Sequence, residues 1–70
     1  MMLTGKFVQF VAGNMVVKID DHEFHCPIGL GAQIFLNGQE SPMSAIRPGD
    51  TVEISGKAYL PADTIVATRA

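Results

Sequence analysis

Turn signals recur along this chain at intervals too short for long helices. They are the dipeptides Gly13-Asn14, Asp20-Asp21, Asn37-Gly38 and Pro48-Gly49, which supply the positive φ angles or the fixed geometry of tight turns. The segments between them are rich in Val, Ile, Thr and Phe, residues that favour strands. The pattern predicts several short antiparallel strands joined by tight turns.

The first two turns predict a three-stranded meander with one apolar face. If Gly13-Asn14 is a two-residue loop, Ala12 faces Met15 and Lys6 points away from Lys18. If Asp20-Asp21 is another, Lys18 faces Glu23 as an oppositely charged pair. The apolar face then consists of Val8, Phe10, Met15, Val17, Ile19, Phe24 and Cys26. The two turns independently give one coherent apolar face, and we expect it to form the core. A shift of one residue in the register would destroy this alternation.

The second half predicts a short strand, a helical turn and two further strands. The strand 33–36 ends at a turn, and Ser41 can cap a helical turn that begins at Pro42. Residues 47–50, Arg-Pro-Gly-Asp, suit a type II turn. Two strands, 51–55 and 64–69, follow with a loop between them.

These elements predict one domain, residues 1–70, of the all-β class. Five or six short antiparallel strands in so small a chain can bury one face by curling into a barrel, which also removes exposed edges. We expect an OB-like barrel, since such barrels carry a helix or turn between their third and fourth main strands. An SH3-like barrel is the alternative.

The central motif resembles one in a known group of proteins. The stretch Ala45-Ile46-Arg47-Pro48-Gly49-Asp50-Thr51-Val52-Glu53-Ile54-Ser55-Gly56 is similar to a motif in small bacterial OB-like modules of unknown function. There, an apolar residue and a Pro-Gly-Asp or Val-Gly-Asp turn precede an alternating strand that ends in Gly. The opening Gly5-Lys6-Phe7-Val8 and the closing residues 64–69 are similar too. The resemblance implies the fold and brings no catalytic residues; many family members look exported, a feature that this N-terminus lacks.

The composition predicts a folded chain that associates with a partner. Of 70 residues, 47% are hydrophobic and 17% charged, the reverse of the balance in disordered chains. A domain this small has marginal stability alone, and its only cysteine, Cys26, cannot form an internal disulfide. Small scaffolds without such links often gain stability by association. We therefore expect a homo-oligomer or a complex with a protein partner.

Neither export nor membrane insertion is predicted. The N-terminus lacks the basic and apolar segments of a signal peptide, and no apolar stretch approaches the roughly 20 residues of a membrane helix. A free thiol is typical of reducing compartments. The expected location is the cytoplasm, without membrane contact.

The histidines and the cysteine do not predict a catalytic or metal site. On a strand, His22 and Cys26 share one face while His25 points to the other, whereas a structural zinc site needs four converging ligands. Cys26 is expected in the core as a small hydrophobic residue, without the exposure that a nucleophile needs. Gly29-Leu30-Gly31 lacks the helix and lysine of a phosphate loop. We expect no enzyme, metal or cofactor.

The outer face of the meander is the predicted partner-binding surface. Its members are Phe7, Gln9, Val11, Val16, Lys18 and His25. Exposed apolar strips such as Phe7, Val11 and Val16 often mark protein contacts, so the prediction is a non-catalytic binding or assembly module that contacts a protein partner or itself. Arg47 and Tyr59, both near loops, are weaker candidates for a ligand rim, and the prediction for them is ordinary surface.

The alternative is a single-stranded nucleic-acid binder on the same face. OB barrels bind such strands by stacking bases on aromatic side chains in a basic groove. This face offers one aromatic residue, Phe7, and one firm positive charge, Lys18, with Glu23 opposite. The net charge of -2 also disfavours binding driven by phosphate charge.

Overall fold

The computed structural model describes residues 2–70 and is all-β. Its strands are β1 (Met2–Val11), β2 (Asn14–Ile19), β3 (His22–Leu36), β4 (Gln39–Glu40), β5 (Thr51–Ser55) and β6 (Ala62–Thr68). A single 3-10 turn, Met43–Ala45, lies between β4 and β5. Six strands with one short helical turn confirm the coarse prediction of fold class. Ser41 does not cap the turn, however, since its hydroxyl donates to the carbonyl of Gln39 (2.9 Å).

The strands form one mixed sheet in which five strands close into a ring. The order is β2-β1-β5-β6-β3-β4, and β2 also pairs with β3, so the ring runs β1-β2-β3-β6-β5. The β3–β6 pairing is parallel, which corrects the prediction of a wholly antiparallel arrangement. Parallel neighbours require a crossover connection, and here the chain crosses over through β4, the 3-10 turn and β5.

Three of the four predicted turns are confirmed. Asp20-Asp21 joins β2 to β3 in the predicted register, with Lys18 opposite Glu23 and Val17 opposite Phe24. Asn37 and Gly38 have positive φ angles (51° and 83°) and join β3 to β4. Within residues 47–50, Gly49 has a φ of 95° and the N–H of Asp50 donates to the carbonyl of Arg47 (3.0 Å).

The prediction for the first turn is wrong by one residue. The turn is Ala12-Gly13, with φ angles of 50° and 79°, and Asn14 already belongs to β2 opposite Val11. Two consecutive positive φ angles are typical of a type I′ hairpin turn. Asparagine is the usual non-glycine residue in that conformation and alanine is not, so the sequence does not indicate that Ala12 belongs to the turn.

A β-bulge at Val8 changes which residues of β1 face the core. The register passes from Phe7 opposite Val17 to Gln9 opposite Val16. The N–H of Phe7 donates to the carbonyl of Asp50 (2.8 Å), and the N–H of Gly49 donates to the carbonyl of Phe7 (3.0 Å). Phe7 is therefore in the core at 7% exposure, not on the outer face as predicted.

The core lies inside the ring and draws on every ring strand. It consists of Phe7, Met15, Val17, Cys26, Ile46, Val52, Ile54, Ala62, Ile65 and Ala67. Burial of Met15, Val17 and Cys26 confirms part of the predicted apolar face. Phe10 and Phe24 are each 44% exposed, against the prediction. Phe10 lines an open cavity, and Phe24 lies on the part of β3 that pairs with β2 but not with β6. Val8 and Ile19 are only partly buried.

A partly buried ion pair between Asp50 and Arg69 links the Arg-Pro-Gly-Asp turn to the C-terminal segment. Asp50 is 4% exposed and accepts hydrogen bonds from Nε and Nη2 of Arg69 (2.8 and 2.7 Å) and from the N–H of Arg47 (2.9 Å). Arg69 also donates to the carbonyl of Ala45 (2.8 Å). The hydrogen bond from Arg69 lowers the pKa of Asp50 to about 2. The aspartate of the motif thus has a structural role.

Candidate contact surface

The six residues predicted to bind a partner do not form one exposed surface. Phe7 is in the core, and Val16 is fully buried (0%), whereas Gln9, Val11, Lys18 and His25 are exposed. Val16 does lie on the outer face, in one row with Gln9 on β1 and His25 on β3. Val16 is shorter than both of these directly opposed neighbours. The predicted apolar strip is therefore reduced to Val11.

The outer face carries more positive charge than the sequence indicated. Lys6 lies directly opposite Lys18, because the bulge at Val8 moves it to the same side of the sheet. Its Nζ donates to the hydroxyl of Thr51 on β5 (2.8 Å). Glu23 lies opposite Lys18 on β3. This row therefore combines two ammonium groups with one carboxylate.

His25 lies on the opposite side of β3 from His22 and Cys26. His22 and His25 are exposed, and Cys26 is buried, as predicted for the cysteine. Burial raises the pKa of the Cys26 thiol, which disfavours the reactive thiolate. Among residues 2–70, no three His, Cys, Asp or Glu side chains are grouped so that they could hold a metal ion.

An unpredicted apolar surface lies where β3 departs from β6. Six residues of β3, from Ile28 to Gln33, lie alongside only three of β6, from Ala62 to Thr64. The intervening segment, residues 29–32, therefore bulges outward from the sheet. Leu30, at its tip, is completely exposed. A Cβ on Gly29 would lie 3.2 Å from the carbonyl oxygen of Ala62, so glycine suits the close approach at the base of the bulge.

Two open cavities flank this bulge and share Gly29 and Ala32 as walls. The first, about 390 Å³, is lined by Leu60 and Pro61 of the β5–β6 loop, with Lys57 and Asp63 also in its wall. The second, about 260 Å³, is lined by Phe10, Leu30, Ile34 and Met43 among others. We call the surface formed by Phe10, Gly29, Leu30, Ala32 and Leu60 the apolar end.

The apolar end is suited to accept apolar side chains. Its second cavity is lined only by glycine and apolar residues, and the first adds one lysine and one aspartate. Leu60 and its neighbour Tyr59 are exposed, Tyr59 completely. Concave, mostly apolar surfaces with few polar groups are typical of binding sites, and contiguous exposed apolar residues often mark protein contacts.

The apolar end is not predictable from the sequence, because Phe10, Leu30 and Leu60 are far apart along the chain. The glycines around Leu30 were the available signal, since glycine within a strand pattern often marks a bulge. The alternation along β1 predicts Phe10 in the core. Nothing in the local sequence shows that Phe10, Leu30 and Leu60 lie around neighbouring cavities.

Comparisons with protein-family models, with characterised proteins and with solved structures found no match to this chain. Within residues 2–70, no helix is both long and apolar enough to cross a membrane.

Proposed function

We propose that this protein is a non-catalytic binding or assembly module, an OB-like barrel that contacts a protein partner through its apolar end. The observation that carries the proposal is the fully exposed Leu30, held on a glycine-flanked bulge between two cavities. Burying a leucine side chain gains about 1.5–3 kcal/mol. A partner that covers Leu30 and Leu60 would recover that free energy for both.

The connectivity supports the OB-like part of the proposal. The five ring strands include one parallel pair, β3 and β6, and a 3-10 turn precedes the fourth ring strand, β5. OB folds bind ligands on their second and third strands and on the loops after the first and fourth strands. The corresponding elements here are the Ala12-Gly13 turn, β3 and the β5–β6 loop. All three contribute residues to the two cavities, since Gly13, Gly29 and Leu60 line them.

A single-stranded nucleic acid on the outer face is the second candidate. The juxtaposition of Lys6 and Lys18 favours it, because paired ammonium groups attract phosphates. The burial of Phe7 in the core disfavours nucleic-acid binding, since base stacking needs an exposed aromatic ring. Glu23, opposite Lys18, further lowers the positive potential of this face.

Selection from a phage-displayed library of random peptides tests the main proposal. We expect the wild-type chain to enrich peptides with apolar anchor residues, and fluorescence anisotropy to show that Leu30→Asp/Leu60→Asp weakens their binding at least about tenfold, the equivalent of 1.4 kcal/mol. Both leucines are exposed, so the variant should keep the circular dichroism spectrum of the wild type. Lys18→Glu is the matched control and should bind the peptides normally.

The outcomes separate the two candidates. Failure to enrich any peptide, or equal peptide binding by the leucine variant, would contradict binding at the apolar end. A labelled single-stranded oligonucleotide provides the other comparison. Salt-sensitive oligonucleotide binding that Lys18→Glu abolishes, and that the leucine variant leaves intact, would favour the outer face instead.

A further inference from the structure

The β2–β3 hairpin has an exposed edge that the ring does not cover. Along residues 22–27, β3 pairs with β2, and its pairing with β6 begins only at Ile28. On the side away from β2, no strand of residues 2–70 pairs with this segment. All of its residues except Cys26 are exposed. Such an edge presents backbone N–H and C=O groups to another strand.

The hairpin register shows which backbone groups point outward. In an antiparallel ladder, hydrogen-bonded and non-hydrogen-bonded pairs alternate, and the pair that flanks a two-residue turn, here Ile19 and His22, is hydrogen-bonded. Phe24, two positions further, therefore also directs its backbone toward β2. Glu23 and His25 direct their N–H and C=O groups to the free edge.

We propose that a second copy of this chain pairs with this edge, antiparallel and symmetric about Phe24. In that register Glu23 of each copy lies opposite His25 of the other, and both pairs use the outward-facing backbone groups. The two pairs would form four main-chain hydrogen bonds. The ladder then ends at Pro27, which has no N–H to donate.

The side chains are self-complementary in this register. On the outer face, the Glu23 carboxylate can accept a hydrogen bond from the His25 imidazole of the second copy, twice by symmetry. On the inner face, the two Phe24 rings become a cross-strand aromatic pair at a non-hydrogen-bonded position, where side chains approach most closely. Phe24 is 44% exposed although its neighbour Val17 is fully buried, so a second ring would cover apolar surface that the single chain leaves open.

The charge pattern favours this occupant and this orientation. Natural edges that resist pairing often carry lysines, and residues 22–27 contain none. An in-register parallel arrangement would place Glu23 near Glu23 and lose the complementarity. The edge uses residues different from the apolar end, so self-pairing and partner binding are separable.

Sedimentation equilibrium of the wild-type chain is the first test. We expect the apparent mass to rise from monomer toward dimer as the protein concentration increases. Phe24→Asp should abolish this rise, because two carboxylates would face each other at the symmetry axis. Val66→Asp is the matched control, since Val66 is exposed to a similar degree on another strand. A wild-type chain that stays monomeric at millimolar concentration would overturn the proposal.

Disulfide trapping tests the register independently. In a Cys26→Ala background, Phe24→Cys places two thiols opposite each other at the symmetry axis. We expect it to cross-link in dilute solution at least about tenfold faster than Val66→Cys in the same background, because pairing raises the effective concentration of the thiols. Equal rates for the two variants would contradict the Phe24-centred register, whatever the outcome of the peptide selection.

Discussion

Ala12 shows how one residue can hold an unfavourable conformation within a stable hairpin. Its φ of 50° lies in the left-handed region that glycine and asparagine occupy more readily than alanine. The neighbouring Gly13 completes the type I′ geometry. The strain is local, since the turn is exposed.

Replacing Ala12 by asparagine should therefore stabilise the protein. We expect Ala12→Asn to add about 1 kcal/mol to the free energy of unfolding, because Asn-Gly is a preferred type I′ turn. For a domain of this size that corresponds to a rise of about 4–8 °C in Tm. Thermal unfolding followed by circular dichroism measures it, with Ala58→Asn in the exposed β5–β6 loop as control. An unchanged or lower Tm would contradict the strain assigned to Ala12.

The ion pair between Asp50 and Arg69 is a second feature whose contribution to stability can be tested by changing one side chain. Asp50→Asn removes the charge from three hydrogen bonds, and such charge-assisted bonds each contribute about 1.5–3 kcal/mol when the partner remains. Because the Arg69 side chain keeps 34% exposure and can be partly solvated, we expect a loss of about 2 kcal/mol at pH 7. Urea unfolding measures it, with the exposed Asp21→Asn as control.

The effect of Asp50→Asn should depend on pH. Pairing lowers the pKa of Asp50 from 3.8 to about 2, so its charge stabilises the folded state fully above about pH 4. This contribution is lost as the pH falls through about 2. The stability difference between wild type and variant should therefore narrow from pH 4 to pH 2. A difference that stays constant over this range would argue against the ion pair.

At the scale of elements, β1 is the strand with the most demanding geometry. It pairs with β5 through its first half and with β2 through its second half. Gly5 lies at the crossing, where an added Cβ would be 2.8 Å from the carbonyl oxygen of Lys18 and 2.9 Å from Cγ1 of Ile19. The backbone atom cannot move away as a flexible side chain could.

Gly5→Ala should therefore destabilise the fold. We expect a loss of about 1–3 kcal/mol, typical of overpacking, measured by urea unfolding. Gly31→Ala is the matched control, because a Cβ there would meet nothing within 4 Å, and it should be close to neutral. Equal stability of the two variants would contradict the close approach of β1 to β2 at Gly5.

The sequence predicted the elements that local chemistry determines. The Asp20-Asp21 hairpin was predictable because its turn, its alternation and the Lys18–Glu23 pair all favour one register. The register of β1 was not predictable from the sequence, because the bulge at Val8 depends on hydrogen bonds between Phe7 and the distant Gly49 and Asp50. That bulge moved Phe7 into the core and Lys6 to the outer face, and so changed the predicted contact surface.

At the scale of the whole molecule, the candidate surface arises from three elements that meet at one end of the ring. The β1–β2 turn, the bulge of β3 and the β5–β6 loop each contribute to the walls of the two cavities. The sequence predicted a different apolar surface, the strip of Phe7, Val11 and Val16 on the outer face of the meander. It could not predict the apolar end, because the meeting of these three elements follows from ring closure.

An amide chemical-shift titration can show whether a bound peptide contacts the apolar end. Isotope-labelled wild-type protein would be titrated with the peptide that the selection enriches most strongly. We predict that the largest shifts fall on residues 28–32 and 57–63 and on the Ala12-Gly13 turn, with Lys18 and His25 nearly unchanged. Shifts concentrated on Gln9, Lys18 and His25 instead would contradict binding at the apolar end.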